Sequence, residues 1–129
     1  MGTSVREESR GRVIDVAVVD AAGQSLQGVK VAIKIRGVSA GSFVTDAYHT
    51  AGSFEIHGEA MRVELVASYG QQQLTAPMRK EFNSHTFAFA VLPYLAVAQT
   101  VAVARCPDGT TGTPCVTCVV GDIRVRICV

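Results

Sequence analysis

Residues 29–35 alternate strictly: Val29, Val31, Ile33 and Ile35 are separated by Lys30, Ala32 and Lys34. A period of two over that length specifies a strand with one face on a core and the other in water. The signature recurs along the chain. Ile14, Val16 and Val18 alternate with Val13, Ala17 and Val19 over Arg12–Val19, apolar on both faces, which predicts a central strand. Met61, Val63, Leu65, Ala67 and Tyr69 alternate with Arg62, Glu64, Val66 and Ser68, and Phe87 and Phe89 share one face of the stretch 86–92. Turn residues separate these runs at 20–24, 46–52 and Gly70-Gln71. Residues 37–42 read as a loop before a short strand at 43–45, residues 53–56 and 72–76 as further strands, and the polar stretch 77–84 as a surface loop. No helical period competes. The expectation is an all-β fold, an antiparallel seven-strand sandwich.

Length and composition narrow the function classes. At 129 residues, one domain burying roughly two-thirds of its unfolded surface is expected. The chain is 48% hydrophobic, yet Pro93, Gln99 and Arg105 interrupt its longest apolar stretch well short of a membrane span. Twelve basic and eleven acidic residues are dispersed, leaving no basic footprint for nucleic acid or an anionic membrane. Aromatics are only 6% and Trp is absent, which argues against a base-stacking or sugar-stacking surface. Residues 1–10 form a polar lead-in without the apolar core of a secretory signal.

The run from Gly11 to Ile35 (G-R-V-I-D-V-A-V-V-D-A-A-G-Q-S-L-Q-G-V-K-V-A-I-K-I), with T-D-A at 45–47 and G-S-F-E-I at 52–56, resembles the carboxypeptidase regulatory-like domains. Those belong to the wider transthyretin-like, or prealbumin-like, sandwiches. The resemblance covers roughly residues 11–92 and implies an Ig-like or prealbumin-like sandwich that is not an enzyme and serves stability, adhesion or assembly. It implies that Asp20 and Gly23 turn the first hairpin and that Gly28 precedes the second strand. Tyr48-His49-Thr50-Ala51 lengthens the second hairpin beyond the family pattern. The Tyr-Arg-Gly-Ser ending of the hydroxyisourate-opening cousins is missing, since this sequence ends Arg126-Ile127-Cys128-Val129.

Residues 93–129 then form a β extension. Leu95, Val97, Val101 and Val103 share one face of a strand whose other face is Ala and Thr, a candidate assembly strand to lend to a neighbouring copy. All four cysteines follow, spaced C-x8-C-x2-C-x9-C. Gly121-Asp122 suits a two-residue hairpin turn. That register sets Val120 opposite Ile123, Val119 opposite Arg124 and Cys115 opposite Cys128, the last as a non-hydrogen-bonded pair with Cα atoms about 4.5 Å apart. Cys118 then points to the opposite face, toward Cys106. Bridges Cys115–Cys128 and Cys106–Cys118 are one reading. A zinc site of Cys106, Cys115, Cys118 and Cys128 and free buried thiols are the others.

His49, His57 and His85 are scattered, and Asp46, His49 and Ser53 lie within one turn without a nucleophile elbow or oxyanion motif. The expectation is therefore a non-enzymatic structural subunit without a cofactor, self-associating into an oligomer or polymer through its apolar terminal strand. The alternative is a soluble binding or adaptor module with a zinc-bound or disulfide-stapled tail. Four cysteines tilt the location toward the extracellular space, against the lack of a visible signal.

Overall fold

A computed structural model describes residues 12–46, 50–59, 62–79, 82–89 and 104–129. Its regular structure is entirely strand: β1 (Arg12–Asp20), β2 (Lys30–Ile35), β3 (Val38–Val44), β4 (Ala51–His57), β5 (Val63–Tyr69), β6 (Gln72–Met78), β7 (Ser84–Phe89), β8 (Ala104–Arg105), β9 (Thr111–Gly112), β10 (Cys115–Val120) and β11 (Ile123–Cys128). Two sheets face each other, one ordered β10-β11-β4-β1-β7 and the other β6-β5-β2-β3-β8-β9.

The alternating faces form the interior. Val29, Val31, Ile33, Ile35, Val63, Leu65, Phe87 and Phe89 are all buried, while Lys30 is exposed and Lys34 half-buried. Phe43 of one sheet meets Phe54 of the other with ring centroids 5.4 Å apart, and Tyr69 meets Phe89 at 5.8 Å. β1 has neighbours on both sides, as its apolar character predicts, but only Ile14, Val16 and Val18 are fully buried; Val13 faces solvent.

Several expectations are corrected. The two hairpins that the resemblance implies do not form, because β1 and β2, like β3 and β4, belong to different sheets. The sandwich is not wholly antiparallel, because β1 and β7 run parallel from Asp15↔Ser84 to Asp20↔Phe89. A parallel neighbour needs a crossover, and β7 reaches β1 only after the chain has laid β2, β3, β5 and β6 into the opposite sheet. Residues 37–42 are not a loop. Arg36 and Gly37, both at positive φ (57° and 81°), close a two-residue turn that starts β3 at Val38. The small residues of β3 hid this strand, and a bulge opposite Ile33/Lys34 leaves Ala40, Gly41, Ser42 and Phe43 consecutively buried. The polar loop also begins later than expected, since β6 continues through Pro77 to Met78 on a sheet edge, where proline's missing N–H costs no ladder bond.

Eleven strands lie among the described residues rather than seven: β1–β7 precede residue 90, and β8–β11 are built onto both sheets. β11 pairs with β4 from Arg124↔His57 to Cys128↔Ser53, and β8 pairs with β3 at Ser42↔Arg105 and Phe43↔Ala104. Their inner side chains join the common core, which includes Ala104, Cys106, Cys118, Ile123, Val125 and Ile127.

Local polar bonds fix the turns between strands. Asp20 Oδ1 accepts from the backbone N–H groups of Ala22 (2.9 Å) and Gln24 (3.0 Å), and Gly23 N–H donates to Asp20 O (2.9 Å). Thr45 is fully buried. Its Oγ1 accepts from Val29 N–H (3.0 Å) and donates to Leu26 O (2.9 Å), pinning the lead-in of β2 to the end of β3.

Candidate interaction site

The added strands are positioned by one tight turn. Asp108 Oδ1 accepts from Thr110 N–H (2.9 Å), Gly109 N–H donates to Cys106 O (3.0 Å), and Cys106 N–H donates to Thr110 O (2.7 Å). The Thr110 bonds, backbone first and then side chain, hold the Asp108 carboxyl below the usual carboxylate range. This turn sets Cys106 over Cys118 of β10, with Cα atoms 5.4 Å apart. Both residues are buried, and their disulfide ties the rim of the six-stranded sheet to the end strand of the five-stranded one. The second disulfide, Cys115–Cys128, lies across the β10–β11 ladder with Cα atoms 4.1 Å apart. Both bridges are those of the disulfide reading, and Cys115↔Cys128, Val119↔Arg124 and Val120↔Ile123 follow the expected hairpin register. All four sulfurs are in bridges.

A groove opens beside the buried bridge. It measures about 380 Å³ and runs between Val38 and Ser39 of β3, Thr117–Val120 of β10, and Cys106, Pro107, Asp108 and Thr110 of the turn. A second hollow of about 290 Å³ continues it between the β2–β3 and β10–β11 turns, lined by Ile35, Arg36, Glu59, Asp122 and Ile123 and sharing Val38 and Val120. Val38 is 56% exposed and Val119 67%. Those two are the most exposed large apolar residues among the described ones, and both border this groove. Sequence reading missed it because its walls come from two turns far apart in the chain. Only Val119, an apolar residue on the outward face of its hairpin, gave a local sign.

The remaining sequence candidates do not converge. Leu95, Val97, Val101 and Val103 lie outside the described residues, as does His49 of the Asp46, His49 and Ser53 set. His57 Nε2 lies 3.2 Å from Glu55 Oε2, and Arg126 Nη1 lies 3.8 Å from Glu55 Oε1, on the outer face of β4 and β11. His85 meets Phe87 edge-on at 4.6 Å, and burial pushes its pKa below the ordinary histidine value. A shallow depression of about 440 Å³ on the outer face of the five-stranded sheet is floored by small residues, among them Ala17, Ala51, Ser53 and Ser84. Among the described residues no group of three or more His, Cys, Asp or Glu is placed to hold a metal ion, and no helix is long and apolar enough to cross a membrane.

No protein-family model matches this chain, and neither the curated proteins nor the solved structures contain a match to it.

Proposed function

We propose that this chain is a non-enzymatic interaction module, a carboxypeptidase regulatory-like or transthyretin-like sandwich of Ig-like character that holds another polypeptide without a cofactor. One observation carries the reading. The Cys106–Cys118 bridge fixes a strand, β10, at the end of its sheet beside exposed Val38 and Val119. A strand at a sheet end offers unpaired backbone groups to an incoming chain, and apolar side chains beside it supply the area that holds one. Structural bridges persist in an oxidising space, which supports an extracellular setting.

A displayed library of linear peptides, panned against the oxidised protein and counter-selected with Val119→Lys, tests the reading. Enrichment of a peptide class that Val119→Lys fails to hold supports it; recovery no better than from the variant refutes it.

Self-association into a homo-oligomer or polymer is the second reading. β7, at the opposite end of the same sheet, also carries neither proline nor a formally charged side chain, so copies can pair edge to edge. A donated segment containing Leu95, Val97, Val101 and Val103 belongs to this reading. Sedimentation velocity across a wide concentration range separates the two: a constant 13.6 kDa species favours heterotypic binding, and growing mass favours assembly.

A further inference from the structure

The groove carries charge as well as valine. Asp108 lines one end, Glu59 and Asp122 line the other, and Arg36 is the only cation in the lining among the described residues. Arg105 and Arg124 stand on neighbouring strands, outside it. Between the charged ends Val38, Val119, Val120 and Pro107 give the wall its apolar area, with Ser39 and Thr117 among them. β10 runs along that wall as an end strand whose sequence, C-V-T-C-V-V, has none of the lysines or prolines with which sheet edges commonly repel another strand.

We propose that this groove takes an extended peptide segment, β-branched in its middle and basic at its ends, laid along β10 as a sixth strand of the five-stranded sheet. The proposal rests on the interaction-module reading and adds the chemistry of the partner. Backbone groups of the segment pair with the open side of β10. Its central side chains cover Val119 and Val38, and its terminal ammonium or guanidinium groups meet Asp108 at one end and Glu59 with Asp122 at the other. A segment with acidic ends meets three carboxylates against one guanidinium and is repelled, which gives the groove selectivity as well as affinity.

Fluorescence polarisation on the full, oxidised chain tests this with three labelled peptides: Lys-Val-Thr-Val-Thr-Lys, its Glu-ended counterpart, and the Lys-ended peptide N-methylated at alternate backbone nitrogens. The Lys-ended peptide should bind about tenfold more tightly than the Glu-ended one at low ionic strength, and the gap should close as salt is raised. N-methylation should abolish binding, because it removes the strand's donors. The combined change Glu59→Gln, Asp108→Asn and Asp122→Asn should equalise the two unmethylated peptides. An asparagine in place of Asp108 still offers Thr110 a side-chain acceptor, so the turn is kept. Val119→Lys should release both, with circular dichroism confirming that each variant stays folded. Equal binding of Lys-ended and Glu-ended peptides by the unaltered protein overturns the charge assignment, and undiminished binding of the N-methylated peptide overturns strand addition. Failure of all three peptides on the folded protein overturns the proposal. The library selection still decides the interaction-module reading by itself.

Discussion

Thr45 shows how one side chain secures the junction of two strands. Its hydroxyl serves both Val29 N–H and Leu26 O in a site closed to water. Thr45→Val keeps the shape and strips both bonds, leaving a buried donor unpaired. We expect a loss of about 1–3 kcal/mol, read from urea unfolding. His85 acts at the same scale through its charge. Burial lowers its folded pKa, so as pH falls the unfolded chain takes the proton first. Its contribution is fully present above the ordinary histidine pKa and is lost as pH drops toward the folded value. His85→Gln should therefore flatten part of the stability decline between about pH 7 and pH 5, visible as a smaller shift in unfolding midpoint than in the parent.

Among elements, β3 and the β10–β11 hairpin contrast in what local sequence can reveal. The hairpin was legible because its register follows from a two-residue turn and the alternation around it. β3 was not, because its small residues are required by distant neighbours. A Cβ on Gly41, at φ +140°, would collide with Ile127 Cδ1 and lie 3.0 Å from Arg105 O, contacts that exist only once β8 and β11 have docked. Gly121, at φ +59°, has open space around its Cβ position. Gly41→Ala should accordingly cost about 2 kcal/mol or more, and Gly121→Ala only about 1 kcal/mol, measured in the same denaturant series. The parallel β1–β7 pair and the charged groove escaped sequence reading for the same reason, since each joins segments far apart in the chain. The faces of 29–35 were legible because a period of two needs no distant information.

For the whole molecule, the main consequence of the fold is that 104–129 and the earlier strands share one core. Val125 and Ile127, on the strand beside β4 and in the sheet facing β3, are fully buried in the same cluster as Phe43 and Phe54. Each disulfide joins cysteines 12 or 13 positions apart. Replacing Cys106 and Cys118 by Ala should cost about 2–3 kcal/mol. Because the core is shared, that loss should appear as one cooperative transition at lower denaturant; two separated transitions would mean that the tail and the sandwich unfold independently. Phe87→Ala should lower the same single transition by about 3–5 kcal/mol.

The pairing of β11 with β4 also has a consequence in time. During synthesis β4 leaves the ribosome long before β11, and until β11 arrives the edge of β4 that pairs with it is left without a partner strand. Pairing across so much intervening chain is slow. The nascent protein therefore has a vulnerable interval that ends only when β11 is complete, and a chain halted within the C-terminal hairpin is the species that chaperones would have to guard.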